Sequence, residues 1–226
     1  MSDRWATFDC YGTIADWHGG MRAALEGVVR DRAEALLTAY HEHEPVLEAE
    51  KPHRLYRDVL TEGLRRASAS SGIDLPAGQE DALVRAWPSM PFHPDAPGGL
   101  ERLRDAGWKL AVLTNCDDDL FATTAARLPV TFDLVVTAQQ VGSYKPAHGH
   151  FERFREVVQP AEDGWVHVAC SWFHDMQAAR DMGLRRIWVD RDRTGQDPSI
   201  ANAVLPDFAE LLETLERVRT EAVPTV

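Results

Sequence analysis

Apolar runs of strand length recur along the chain, and each ends in polar or small residues: WATFDC at 5–10, KLAVLTNC at 109–116, FDLVVTA at 132–138, WVHVAC at 165–170 and RRIWVD at 185–190. The segments between them carry apolar residues at helical spacing. Short apolar strands separated by amphipathic helices are the pattern of a parallel sheet covered on both faces, so the predicted fold class is α/β. In such sheets ligands bind beyond the carboxyl ends of the strands. Those ends carry Asp9, Thr114 with Asn115, Cys170 with Ser171, and Asp190.

The interval between the first two runs is far too long for one crossover. It reads helical, with Leu36, Leu37, Tyr40 and Leu47, then Leu55, Val59, Leu60 and Leu64, near helical spacing. This predicts an inserted helical cap domain over residues 16–94, with residues 1–15 and 95–226 forming the core. PSMPFHPDAPGG, at 88–99, is predicted to be the return linker or hinge, and FAELLETLERV, after about residue 206, a closing helix.

With 44% hydrophobic and 27% charged residues, the 226-residue chain has the make-up of a soluble globular protein. Its net charge of −12 argues against nucleic-acid and anionic-membrane partners, which reward clustered lysine and arginine. A small anion at a local site is still compatible with that charge. No apolar run approaches the roughly 20 residues of a membrane span, and the first residues lack the order of a secretion signal. A cytoplasmic protein is therefore expected. The three cysteines, Cys10, Cys116 and Cys170, have no metal-type spacing and read best as small apolar packing residues.

Four separated motifs carry candidate chemistry: Asp9 with Tyr11-Gly12-Thr13, Thr114-Asn115 closing LAVLTN, Lys145 in SYKPAHGHF, and Asp175 in CSWFHD. A strand-end carboxylate can act as a covalent nucleophile. A lysine would offset its repulsion of a substrate anion. The hydroxyls of Thr13 and Thr114 can donate hydrogen bonds, and the amides of the turn after Asp9 can cradle an anion. Singly, each has a plainer reading, because a strand-end Asp often caps a helix and a Lys-Pro turn is often solvated surface.

In this order the four motifs resemble those of the haloacid dehalogenase superfamily, over nearly the whole chain. The resemblance implies a Rossmann-like core with a mobile cap, Asp9 as nucleophile, Lys145 as its charge partner, Asp175 holding Lys145 or a water, and Thr13 assisting. The family's phosphatases carry an acidic proton donor where this chain has Tyr11. An alkoxide leaving group gains a hundredfold or more, roughly, from such an acid, whereas halide leaves without a proton. Asp-x-Tyr-Gly-Thr is also similar to the 2-haloacid dehalogenase branch, which implies metal-independent cleavage of short 2-haloalkanoic acids through an aspartyl ester, giving 2-hydroxy acids.

Substrate contacts are expected from Cys10, Tyr11, Thr114, Asn115, Ser171, His41, Trp172 and His174. His41 stands where the family's halide-binding arginine is expected, and a protonated imidazole could take that role. Trp172 replaces the usual fourth-motif asparagine, and Phe151 a tyrosine. Trp172, Trp17 and Phe92 could form an apolar pocket or simply pack in the core. His174 could relay a proton or pack under the cap. The resemblance implies no cofactor; magnesium enters only under a phosphatase alternative, held by Asp9, the Tyr11 carbonyl and Asp175. A non-catalytic metabolite binder is a third reading, and a homodimer is compatible with the family.

Overall fold

The protein is described by a computed structural model over residues 3–223. Its sheet has six parallel strands, β1 (Trp5–Phe8), β2 (Lys109–Thr114), β3 (Leu134–Thr137), β4 (Trp165–Ala169), β5 (Arg185–Val189) and β6 (Ala203–Leu205), in the order β3-β2-β1-β4-β5-β6. Both faces are covered, so the middle strands are buried almost throughout, as their apolar runs require. The five predicted strands are all present. The sixth, AVL, is three residues long at the sheet edge and leaves too little pattern to be read.

The order reverses beside β1, which pairs with β2 on one side and β4 on the other. The carboxyl ends of these three strands therefore converge, and they carry Asp9, Thr114 and Cys170. The covering helices of the core are α5 (Ala96–Asp105), α6 (Asp118–Ala125), α7 (Ala138–Val141), α8 (Gly149–Val158), α9 (Gln177–Asp181) and α10 (Leu211–Val218). The predicted hinge is only partly irregular: α5 begins inside it at Ala96, with Pro97 in its first turn, where a missing N–H costs nothing.

Residues between β1 and β2 form α1 (Trp17–Val29), α2 (Ala33–Ala49), α3 (Tyr56–Ser71) and α4 (Ala82–Ala86). The predicted apolar stripes are the buried faces: Leu36, Leu37, Tyr40 and Leu47 on α2, and Val59, Leu60 and Leu64 on α3. The two chain crossings into this insert pair with each other, Asp16 N donating to Pro91 O at 2.8 Å and His93 N to Ile14 O at 3.0 Å. One buried apolar cluster runs from Phe8 and Val112 in the sheet through Trp87 to Leu36 and Leu60 in the insert. Among the described residues, no helix is long and apolar enough to cross a membrane.

Candidate active site

Asp9 leaves β1 with one last ladder bond, its amide donating to Val168 O at 3.1 Å. The chain then turns, and Cys10 O accepts from the amides of Ile14 and Ala15. Gly12 makes that turn possible: its φ is +93°, and a Cβ there would lie 2.7 Å from Cys170 Sγ. Arg191, just past β5, fastens the loop from outside by donating twice to Thr13 O, at 2.8 and 3.1 Å, while pairing bidentately with Asp95. Burial would raise the Asp95 carboxyl, but Arg191 and the Phe208 amide hold it below its usual range. Asp190 itself only caps its own turn, accepting from Thr194 N.

Around Asp9 the donors are fixed in direction. Thr13 Oγ1 accepts from the Cys170 amide at 2.9 Å, so its one proton points to Asp9 Oδ2, also 2.9 Å away. Lys145 Nζ donates to Asp9 Oδ1 at 2.9 Å, to Leu113 O at 2.8 Å and to Asp175 Oδ1 at 2.6 Å, which uses all three of its protons. Lys145 and Asp175 are each about 1% exposed. Burial alone would lower the lysine pKa, but the two carboxylates lift it above its ordinary value, so the ammonium is held charged. Burial raises Asp9 above the ordinary carboxylate value, against the opposing pull of Lys145 and Thr13. Burial acts the same way on Asp175, where the Lys145 charge and the bonds from His167 and Lys145 overcome it and leave the carboxyl well below that value.

Asp175 lies on a wide, π-type helical turn, Trp172–Met176, that follows β4. Behind it runs a buried polar chain that sequence reasoning missed. Trp165 Nε1 donates to Thr7 Oγ1 at 2.8 Å, which leaves the threonine proton for His167 Nδ1 at 2.9 Å, and His167 Nε2 then donates to Asp175 Oδ1 at 3.0 Å. Thr7 and His167 are register partners in β1 and β4. Two polar residues inside buried strands were the available signal, since such groups persist only when paired. With Oδ1 doubly bonded, Asp175 Oδ2 is buried and has no partner, and so is free to accept from a water.

Asn115 holds the backbone of Lys145. Its Oδ1 accepts from Lys145 N at 2.7 Å and its Nδ2 donates to Lys145 O at 3.1 Å, an amide clamp on the lysine backbone. The Thr114 and Cys10 side chains make contacts within the protein. The Thr114 hydroxyl is fully buried, 3.6 Å from Cys116 Sγ, and the Cys10 thiol lies in the main apolar cluster. Only the backbone N–H groups of Cys10 and Tyr11 remain available, since neither donates to another described group.

The Tyr11 hydroxyl is likewise spent: it lies 2.9 Å from Thr124 Oγ1 and accepts from Trp87 Nε1 at 2.8 Å. Ser171 Oγ accepts from the His174 amide at 3.0 Å and sits 3.1 Å from His174 Nδ1, so it shapes the turn. The Trp172 indole packs with Trp188 and Ile200 and donates to Asp197 O. Phe92, packed against a different apolar cluster, covers the Arg127 guanidinium and bridges Ala15.

His41 stacks on Trp17, with ring centroids 5.0 Å apart, and its Nε2 is buried without a partner. Burial, with His18 adding to it, lowers its pKa. Burial thus works against the protonated imidazole expected from the sequence, and the ring presents an unpartnered Nε2. His174, pressed by burial to about 4, is neutral and faces Glu48 of α2 across 3.7 Å. Asp117 was missed as well. It is fully buried and accepts from the Tyr56 and Arg57 amides at 2.8 and 3.0 Å, so a core residue caps α3 of the insert.

The Lys145 ammonium lies between Asp9 and Asp175, bonded to one oxygen of each. Among the described residues no group of three or more His, Cys, Asp or Glu is arranged to hold a metal ion.

The model of the haloacid dehalogenase-like hydrolases matches residues 4–183. The (S)-2-haloacid dehalogenase 4A of Burkholderia cepacia is 32% identical over 223 residues, spanning 94% of this chain and 93% of its own. A phosphoserine phosphatase of Thermus thermophilus is 29% identical over 147 residues, which is 64% of this chain and 57% of the phosphatase. A crystal structure of an L-2-haloacid dehalogenase superposes with a TM-score of 0.83 at 22% identity, covering 96% of this chain and all of the other. The strand-end carboxylate, the lysine locked against it and a match over more than three quarters of the sequence lead to one placement: the chain belongs to the haloacid dehalogenase-like hydrolases.

Proposed function

We propose that this hydrolase cleaves the carbon–halogen bond of short 2-haloalkanoic acids and releases 2-hydroxy acids. The observation that carries the reading is the charged Lys145 held between Asp9 and Asp175, with no proton donor at the Tyr11 position free to serve a leaving group. A departing alkoxide would lack its acid there, whereas halide needs none. In the first step, an Asp9 carboxylate oxygen bonds to C2, and halide leaves with the bonding electron pair. The unpartnered Nε2 of His41, in the tautomer that carries its hydrogen there, is the donor we assign to the departing ion, and the free amides of Cys10 and Tyr11 are donors for the substrate carboxylate.

In the second step a water on Asp175 Oδ2 attacks the ester carbonyl of Asp9. Lys145 and the nearby amides stabilise the developing oxyanion. Collapse breaks the acyl–oxygen bond of the ester, restores the Asp9 carboxylate and frees the 2-hydroxy acid. Of the two protons of the water, one ends on the departing oxygen, which becomes the 2-hydroxyl, and the other passes out through Asp175. We assign residues 16–94 to a cap over a core of 1–15 and 95–226, a division supported by the paired crossings at Ile14–Asp16 and Pro91–His93. The three free cysteines suit a reducing, cytoplasmic setting.

The test is halide release from 2-chloropropionate with and without a chelator, together with the mass of protein quenched during turnover. We expect release that the chelator leaves unchanged, a transient gain of one carboxyethyl group on Asp9, and no release by Asp9→Asn. Phosphate release from a phosphomonoester only with magnesium, with a phosphoryl mass gain, would overturn the reading in favour of a phosphatase.

A further inference from the structure

The insert presents an unexpectedly polar wall to the site. On α2, Glu44 Oε1 accepts from Tyr40 OH at 3.0 Å and from Tyr56 OH at 2.6 Å, and the Tyr144 hydroxyl donates to Arg54 O at 2.7 Å. Those three hydroxyl protons are spent within the protein. One helical turn beyond Glu44 stands Glu48. Its side chain is only 9% exposed and makes no hydrogen bond, and its carboxyl faces His174 Nε2 at 3.7 Å, within the electrostatic reach of Lys145. His174 adjoins Asp175 in sequence, and Lys145 acts electrostatically on the Glu48 carboxyl, which places it in the neighbourhood of the Asp9 site.

We propose that Glu48 is a specificity-determining residue of the Asp9 site, whose carboxyl hydrogen-bonds a hydroxyl group on C3 of the substrate, so that 2-halo-3-hydroxy acids are preferred over plain 2-haloalkanoates. This rests on the dehalogenase reading and deepens it. A largely enclosed carboxyl that no protein group bonds is open to a ligand's hydroxyl as partner. An alkyl chain placed against Glu48 would leave it unpaired, whereas a hydroxyl completes it. Sites built to bond a substrate hydroxyl reject the analogue lacking it strongly, for this reason.

The charge state agrees with the geometry. Burial, with Glu44 adding to it, pushes the Glu48 carboxyl well above its ordinary value against the pull of Lys145. That shift favours the protonated carboxyl, which both donates and accepts, as a hydroxyl does, and does not repel the substrate's own carboxylate. The titratable groups within its electrostatic reach are Tyr40, Glu44, Tyr56, Tyr144 and Lys145, with His174 at 3.7 Å. The reaction is otherwise unchanged: Asp9 bonds to C2, halide leaves with its electron pair, and hydrolysis of the ester gives a 2,3-dihydroxy acid.

The experiment compares halide release from 2-chloropropionate and 2-chloro-3-hydroxypropionate by the wild type, Glu48→Leu and Glu48→Gln, alongside calorimetric binding of lactate and glycerate. We expect the wild type to favour the hydroxylated substrate in kcat/KM by about tenfold or more. The preference should vanish or invert in Glu48→Leu and persist in weakened form in Glu48→Gln. A wild-type ratio of one or less, or a ratio unchanged in both variants, overturns the proposal. Should Glu48→Leu not fold, the wild-type ratio and Glu48→Gln decide. If neither acid releases halide, the dehalogenase reading falls, and binding judges Glu48 separately. Tighter binding of glycerate than lactate, lost on substitution at Glu48, upholds the proposal; equal binding overturns it.

Discussion

Lys145 sits between two carboxylates that would otherwise repel each other, and its removal is the most consequential single change at the site. Lys145→Met leaves Asp9 and Asp175 buried and uncompensated, which should cost about 3–5 kcal/mol of stability in a urea melt. Halide release should fall by three orders of magnitude or more, roughly. Asp9 must be ionised to attack, and burial raises its pKa above the ordinary 3.8, so activity in the wild type should fall with decreasing pH before an exposed carboxylate would titrate. Asp175 behaves oppositely. Its folded pKa lies below the ordinary 3.8, so it contributes stability that is present above that pH and lost as pH falls below it. Asp175→Asn should flatten the acid side of the Tm-against-pH curve. His167 is a positioning residue, because it touches Asp175 and not substrate. His167→Leu should slow ester hydrolysis more than ester formation, so that the alkylated protein accumulates in quenched samples while the initial burst of halide survives.

Among the secondary-structure elements, the join between α3 and the loop after β2 ties the insert to the chemistry. Leu55, at the start of α3, offers no side-chain cap, and the open amides are met by Asp117, three residues beyond Thr114. The Arg57 guanidinium bonds the same carboxylate. Asp117→Ala should destabilise the protein by about 1–2 kcal/mol, the usual effect of losing an N-cap, as read by chemical denaturation. It should also raise KM, because α3 is then no longer fixed against the Thr114–Asn115 loop. The helical stripes of α2 and α3 were legible in the sequence because apolar spacing alone specifies them. The Asp117 cap was not, because its donor and acceptor lie about 60 positions apart along the chain.

For the molecule as a whole, the continuity of the buried cluster decides how the parts unfold. Leu36 of the insert and Val112 of the sheet belong to the same cluster. Leu36→Ala and Val112→Ala should therefore each shift one shared transition, the former by about 2–5 kcal/mol, with tryptophan fluorescence and far-ultraviolet circular dichroism coincident in both. Two separated transitions would show that insert and core are independently stable.

The sequence by itself determined the α/β class, the five longer strands, the helical insert and the membership of Asp9, Thr13, Lys145 and Asp175 in one site. Those features depend on local periodicity and on the rule that parallel strands gather their carboxyl ends on one edge. Only the tertiary structure decided which side of each neighbouring residue meets that edge. It turned Cys10, Tyr11, Thr114 and Trp172 toward the interior or the flank, bonded Asn115 to the lysine backbone, and buried His41 enough to disfavour its charge. It also brought Thr7, His167, Asp117 and Glu48 into use. Each of these outcomes depends on a partner or a degree of burial contributed by chain far away in sequence, and no local pattern encodes that.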